Sequence, residues 1–145
     1  TLYAKLCNMG AGLVLETTNL IAGGTAVAGE QDNSLASPAP KVTSETRLIH
    51  FNESAEQCHN RIRAFAPTPG AYTYRDGSLL KILSTRKVSG HGIPGSVIHT
   101  SEESFTVACQ EGALEIMSIQ PESKKAMDVA SYLRGYPLET GDKLG

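Results

Sequence analysis

The first twenty residues carry apolar side chains at steps of four, three and four, which is the spacing of one face of a helix. These positions are Leu2, Leu6, Met9 and Leu13. The pattern predicts a helix that continues to Ile21, with Thr1 as its N-cap and Gly23-Gly24 at its end. Gly10 and Gly12 weaken the middle, so one helix and two short helices that meet near Gly10 are equally consistent with it. Because the apolar face needs a partner surface, this segment is not predicted to form a domain alone.

A second helical pattern follows a polar stretch. Residues 30–46 are polar, contain two prolines and lack periodicity, which is typical of a linker. Leu48–Phe51 is then predicted as a short strand, and Ser54 with Gln57 forms a capping box that opens a helix. The buried face of that helix is predicted at positions three and four residues apart: Ala55, Cys58, Ile62 and Phe65. Two prolines directly after this stripe end the helix.

From residue 71 onward the apolar period changes from 3.6 to two, which predicts strands. Five segments fit this period: 71–75, 79–88, 96–101, 105–110 and 113–119. Asp76-Gly77 predicts a tight hairpin turn after the first strand, and Asp128 is expected to cap a last short helix that ends near Arg134. Together these elements predict a mainly β fold with flanking helices, built as a small five-stranded barrel.

Composition narrows the class of protein. The longest apolar run is far shorter than the roughly 20 residues of a membrane-spanning helix, so no membrane role is predicted. Cys7, Cys58 and Cys109 are odd in number and widely spaced, which favours buried reduced thiols and a cytoplasmic protein. The chain opens with Thr1 and has no signal-peptide pattern, so we expect a piece of a longer protein.

Charge is segregated along the chain although the net charge is only -2. From Arg61 to Lys87 there are six basic residues and a single acid, Asp76. From Glu102 to Glu122 there are five acids and no base. Such asymmetry indicates that one face is suited to a polyanion.

Two segments carry a specific resemblance. Residues 62–72, with the letters IRAFAPTPGAY, resemble the helix-to-barrel junction of methionyl-tRNA formyltransferases and related formyltransferases. Residues 119–127, IQPESKKAM, are similar to the family signature Gln-Pro-x-x-Lys-Lys-x-Met. Shorter similarities lie at Gln31-Asp32, Ala39–Lys41, Val107–Cys109, Gly112–Leu114 and Leu133–Gly135. The family usually has Asn and Trp where this chain has Ala66 and Thr68, so a stacking role for that tryptophan is not expected here.

The resemblance implies transfer of a formyl group from 10-formyltetrahydrofolate to the amino group of methionyl initiator tRNA. It implies that residues 1–29 are the C-terminal helical remnant of a Rossmann-like catalytic domain, 30–46 the linker, and 47–145 an OB-like tRNA-binding domain. The folate loop and the catalytic Asn, His and Asp of the family find no counterpart, so no catalytic, cofactor-binding or metal residue is expected in this chain. It is expected to be a monomer that binds and orients tRNA without being catalytic.

Two rival readings remain open. The formyltransferase that modifies a sugar nucleotide, UDP-aminoarabinose, shares several of these segments. Alternatively, the β unit is purely structural and stabilises the catalytic domain without touching tRNA. The Lys-Lys-x-Met signature favours the tRNA enzyme.

Eight basic residues are candidates for phosphate contacts: Lys41, Arg61, Arg63, Lys81, Arg86, Lys87, Lys124 and Lys125. For each of them the alternative is a solvated surface charge. Strand alternation places Lys81 and Lys87 on one face and Arg86 on the other, so they serve one surface only if the strand bends.

Two other features have simpler interpretations. Cys58-His59 is read as a core thiol beside a surface imidazole and not as a metal site, because adjacent helical residues point about 100° apart. Tyr72, Tyr74 and Phe105 lie on predicted strands, where they stack on bases or, more commonly, pack in a core.

Overall fold

The computed structural model describes residues 2–145, which divide after Pro40 into two compact units. In the first unit, one uninterrupted helix, α1, spans Leu2–Ala22. Gly10 and Gly12 therefore lower the stability of a single helix without breaking it. The helix ends in a Schellman motif: the N–H of Thr25 donates to the carbonyl of Leu20 (2.9 Å), and Gly24 adopts a φ of +66°. The predicted cap, Thr1, lies outside the described residues.

No residue of α1 is buried. Its large apolar side chains are exposed: Leu2, Leu6, Met9, Leu13, Val14, Leu15, Leu20 and Ile21. Farther along, a single 3-10 turn spans Asn33–Leu35, capped by the side chain of Asp32. Among residues 2–145, no helix is both long and apolar enough to cross a membrane.

The second unit begins with two helices whose N-termini are fixed by capping boxes. The short helix α2 spans Ser44–Arg47, and α3 spans Ala55–Phe65 with Ser54 as its cap and Gln57 as the reciprocal partner. The start of α3 is as predicted. The predicted strand at Leu48–Phe51 is wrong, because this stretch makes only an isolated bridge from Leu48 to Tyr72 and then turns toward the cap.

An antiparallel sheet of six strands forms the body of the second unit. The strands are β1 (Ala71–Arg75), β2 (Ser78–Val88), β3 (Val97–Thr100), β4 (Phe105–Ala108), β5 (Ala113–Pro121) and β6 (Met127–Asp128). Their order is β1-β2-β5-β4-β3, and β6 pairs with β5. Asp76 and Gly77 have φ values of +49° and +77°, the positive pair that a tight type I′ hairpin requires. The mainly β fold with flanking helices is confirmed, and β6 is an additional short strand.

The core lies between α3 and the inner face of the sheet. Ala55, Cys58 and Ile62 of α3 are buried as predicted, while Phe65 packs against the core and is only partly buried. The largest fully buried sheet residues are Ile82, Val97, Phe105, Val107, Leu114, Ile116 and Ile119. Cys109 is also buried, but Cys7 is exposed, so the prediction of buried thiols is correct for two of the three free cysteines.

The C-terminal residues form hydrogen bonds with both edge strands of this sheet, β3 and β1. After α4 (Val129–Gly135), the chain pairs with β3: Val97 donates to the carbonyl of Asp142, and Gly141 donates to the carbonyl of Val97, both at 2.8 Å. The N–H of Gly145 then donates to the carbonyl of Tyr74 on β1 (2.9 Å). Residues 141–145 therefore contact β3 and β1, the two strands at the opposite edges of the sheet.

Candidate nucleic-acid interface

Three of the eight predicted basic residues are held by carboxylates. Arg61 makes a two-pronged pair with Glu53, with Nη1–Oε2 and Nη2–Oε1 distances of 2.7 and 2.9 Å. Both side chains are about three-quarters buried, so the guanidinium ties α3 to the turn before it. Arg61 therefore has a structural role, because its guanidinium donors are already bonded to the carboxylate of Glu53.

Arg86 and Lys87 are paired in the same way. Arg86 Nε lies 2.7 Å from an oxygen of Glu115, whose pKa is lowered first by this hydrogen bond and then by one from Ser104. Lys87 pairs with Glu56 on α3, and this contact lowers the pKa of Glu56. Each cation is thus neutralised by a carboxylate at the surface.

A bulge in β2 decides which of these residues share a face. The pairing of β2 with β5 is irregular around Ser84 and resumes its original register at Thr85, so that two residues, instead of one, separate Ile82 from Thr85 on the inner face. Beyond it Thr85 and Lys87 face α3, where Thr85 contacts His59 and Lys87 contacts Glu56. The prediction from simple alternation was wrong: Lys81 and Arg86 share the outer face, and Lys87 lies on the opposite one.

The other five predicted residues have no acidic partner within ion-pair distance among residues 2–145. They are Lys41, Arg63, Lys81, Lys124 and Lys125. Arg63 donates from Nε to Asn60 (2.8 Å) on the same helix. Lys81 is half-buried because its stem covers Gly70, where a Cβ would meet Lys81 Cδ at 3.0 Å. The remaining three lysines are exposed.

Arg47, which opens the predicted domain 47–145 but is not among the predicted basic residues, links several of these lysines. Its guanidinium lies over the ring of Tyr72 at 5.3 Å and donates to the carbonyl of Gly70 (3.2 Å). Arg47 and Lys41 line one shallow groove together with Pro69, and Glu45 lies in the same groove. The only signal in the sequence was that Arg47 follows a cap and a short helical turn, which does not reveal the ring beneath it.

Strand register extends this surface across the sheet. Lys81 lies directly opposite Tyr72 on β1, and Gln120 of β5 lies opposite Lys81. Gln120 in turn donates from Nε2 to the carbonyl of Lys124 (2.8 Å). We call this connected set the cationic stripe: Lys41, Arg47, Lys81 and Lys124. The strand residues that connect it, Tyr72, Lys81 and Gln120, cross three adjacent strands, or about 10 Å of sheet, on the outer face.

The tyrosines beside the stripe are differently exposed. Tyr72 is buried beneath Arg47, and this burial raises its pKa. Tyr74 is exposed and meets Tyr72 edge to face, with ring centroids 5.7 Å apart. Phe105 is fully buried in the core, so core packing is the correct reading for it.

Cys58 and His59 point in different directions, as the interpretation of this pair requires. Cys58 Sγ donates to the carbonyl of His50 (3.2 Å), whereas His59 Nδ1 lies 2.8 Å from the hydroxyl of Thr85. Burial, with Lys87 and Arg63 nearby, lowers the pKa of His59. In the part of the chain that the structure describes, no three His, Cys, Asp or Glu side chains form a metal-binding group.

Residues 41–137 match the family described as formyl transferase, C-terminal domain. The chain belongs to the formyl transferase C-terminal domain family. The matched segment contains the whole cationic stripe and all eight predicted basic residues.

Curated relatives of this chain are named methionyl-tRNA formyltransferase. The chain is 40% identical to a methionyl-tRNA formyltransferase of Moorella thermoacetica over 99% of its own length and 47% of the relative. It is 35% identical to the methionyl-tRNA formyltransferase of Citrifermentans bemidjiense over 100% of its own length and 46% of the relative. The chain thus spans about half the length of the curated relatives it matches.

Solved structures of HypX share the fold of this chain. A variant of HypX from Aquifex aeolicus matches with a TM-score of 0.67 and 18% identity, over 90% of this chain and 24% of HypX. HypX in complex with tetrahydrofolic acid matches with a TM-score of 0.66 and 19% identity, over 91% and 26%. At this identity the similarity concerns the fold alone.

Proposed function

We propose that this chain is part of a methionyl-tRNA formyltransferase, which transfers a formyl group from 10-formyltetrahydrofolate to the amino group of methionyl initiator tRNA. Within that enzyme the chain binds and orients the tRNA, and the chemistry takes place in another part of the protein. The names of the relatives support the reaction. The enzyme acts as a monomer in the cytoplasm.

The cationic stripe is the observation that carries the tRNA-binding role. Four cations lie in a connected row, and none of them has a carboxylate within ion-pair distance among residues 2–145. Arg61, Arg86 and Lys87, by contrast, already have carboxylate partners. Unpaired cations gain most from phosphate contacts, because each releases a condensed counterion without breaking an existing pair. Arg63 and Lys125 are secondary candidates outside the stripe.

The domain organisation is part of the same proposal. Residues 1–29 are the last helical part of a Rossmann-like catalytic domain, 30–46 the linker, and 47–145 an OB-like domain. The exposed apolar side chains of α1 support the first assignment, because a face of this kind needs a partner surface. Closure of the sheet into a barrel by residues 141–145 is supported by their hydrogen bonds to β3 and to β1.

The test is the salt dependence of binding to an initiator tRNA transcript. If four stripe cations each meet one phosphate, the slope of log affinity against log salt is about -3 to -4. Lys81→Gln should bring the slope about 0.9 closer to zero. Lys87→Gln is the matched control, since it removes a lysine of the same strand that is already paired with Glu56.

Equal slopes for Lys81→Gln and the unaltered protein would contradict phosphate binding at the stripe. The non-catalytic role has its own test, in which the 145-residue chain is incubated with 10-formyltetrahydrofolate and methionyl-tRNA. Formation of formylmethionyl-tRNA above the rate without protein would refute that role.

A further inference from the structure

Tyr74 is the exposed aromatic residue on the outer face of β1, one residue before the end of the strand. It is 39% exposed, whereas its neighbours in the strand, Thr73 and Tyr72, are buried. The core-facing positions of β1 are Ala71 and Thr73, both at 0% exposure. Tyr74 therefore contributes little to the core, and core packing does not explain an aromatic ring at this position.

The ring of Tyr74 is fixed from below and from one side. Tyr72 meets it edge to face, at an angle of 89° between the ring planes, and Leu79 lies directly opposite on β2. Tyr72 is itself held by the guanidinium of Arg47. A side chain on a paired strand with such neighbours loses little conformational freedom when a ligand stacks on it.

Two cations of the stripe lie on the Tyr72 side of this ring. Lys81, directly opposite Tyr72, is the diagonal cross-strand neighbour of Tyr74, within about 7–8 Å. Arg47 lies over Tyr72, two residues along β1 from Tyr74. An exposed aromatic ring beside cations is the arrangement that binds single-stranded nucleic acid, in which bases stack on the ring and phosphates meet the cations.

We propose that Tyr74 stacks on one unpaired base of the tRNA, while Lys81 and Arg47 meet phosphates of the adjoining backbone where it passes over Tyr72. The site selects unpaired RNA, because the faces of paired bases are covered by their neighbours in the duplex. This inference rests on the proposed tRNA-binding function and adds the class of nucleotide that the stripe recognises.

The test compares two fluorescein-labelled RNA hairpins bound to the 145-residue chain at one salt concentration. One hairpin is blunt, and the other carries four unpaired 3′ nucleotides. Stacking of one base is expected to favour the overhang by a factor of about ten, the lower part of the range for base stacking on an aromatic ring. Tyr74→Ala should abolish this preference, and Tyr74→Phe, which keeps the ring, should retain it.

Tyr136→Ala provides the matched control. Tyr136 is 48% exposed and also packs on another tyrosine, Tyr132, with centroids 5.0 Å apart, but it lies beyond α4 in a pocket that no stripe residue lines. Its replacement should leave the overhang preference unchanged. Circular dichroism spectra of the variants establish that they are folded before binding is compared.

The outcomes separate the two proposals. Binding of both hairpins with equal affinity would overturn the stacking site and leave phosphate binding standing. Loss of the preference in Tyr136→Ala as well as in Tyr74→Ala, or its survival in Tyr74→Ala, would also overturn the site. Failure to bind either hairpin would refute the proposed function and the stacking site with it.

Discussion

Arg75 joins the sheet to the C-terminal residues, and its replacement should loosen those residues. Its guanidinium donates to the hydroxyl of Tyr132 (3.0 Å) and to the carbonyls of Tyr136 (3.0 Å) and Pro137 (2.6 Å). It also lies 5.7 Å from the ring centroid of Tyr132. The pair with Asp76 adds little, because the carboxylate is 89% exposed.

The magnitude follows from which acceptors can return to water. Hydrogen bonds to a charged donor contribute about 1.5–3 kcal/mol each, but Tyr136 and Pro137 are exposed and their carbonyls regain water when Arg75 is lost. The hydroxyl of Tyr132 belongs to a residue that is only 3% exposed, so its loss of a partner is less well compensated. We expect Arg75→Gln to lower the free energy of unfolding by about 2–4 kcal/mol.

Urea unfolding measures this change, and hydrogen exchange locates it. The amides of Gly141, Leu144 and Gly145, which bond to Val97, Gly95 and Tyr74, should exchange faster in Arg75→Gln than those of β5. Arg134→Gln is the control: Arg134 is exposed on α4, bonds to Ser131 one turn away, and should cost under about 0.5 kcal/mol. A loss below about 0.5 kcal/mol for Arg75→Gln, or unchanged exchange at the C-terminal amides, would refute this account.

Three other perturbations test separate parts of the structure. Gly95→Ala should destabilise the second unit by more than about 1 kcal/mol in urea, because φ is +85° and a Cβ would lie 2.6 Å from the carbonyl oxygen of Leu144; no loss would contradict that packing. The folded-state pKa of Glu115 lies below its ordinary 4.5, so its contribution to stability is complete above that pH and is lost as the pH falls through the lowered value. Glu115→Gln should therefore cost about 0.5–1 kcal/mol at pH 7 and progressively less as the pH falls below 4.5, and a pH-independent difference would exclude the ion pair as its source. A thiol reagent should label one cysteine rapidly in the native protein and three after denaturation, because Cys7 is exposed while Cys58 and Cys109 are buried. The pKa of Cys109 is also raised by its bond to Cys58 and by burial, which slows its reaction. Cys7→Ser should remove the rapid phase, and rapid labelling of all three cysteines would be inconsistent with the buried core.

Local chemistry made much of the second unit predictable. The start of α3 follows from Ser54 and Gln57, because the two residues satisfy each other's neighbouring N–H groups without help from distant parts of the chain. The turn at Asp76-Gly77 is likewise local, since both residues tolerate positive φ. Strand boundaries followed wherever such a turn or a change of period marked them.

The arrangement of the basic residues was less predictable, because it depends on long-range pairing. The bulge near Ser84 moves Lys87 to the α3 side, and strict alternation contains no sign of it. Glu53, Glu56 and Glu115 neutralise cations that lie 8 to 31 residues away in sequence, so their partners could not be read from spacing. Arg47 was overlooked for the same reason, since Tyr72 comes beneath it only after the sheet has formed.

The hydrogen bonds at the two edges of the sheet have a consequence for solubility. An edge strand presents a row of free N–H and C=O groups to which a strand from another molecule can pair. Gly141 and Asp142 bond to the N–H and C=O groups of Val97 at the start of β3, while Ile49 and Gly145 bond to carbonyls of β1. The polypeptide thus shields its own sheet from intermolecular strand addition at both sides, and release of the last few residues would expose a template for aggregation before the core itself is lost.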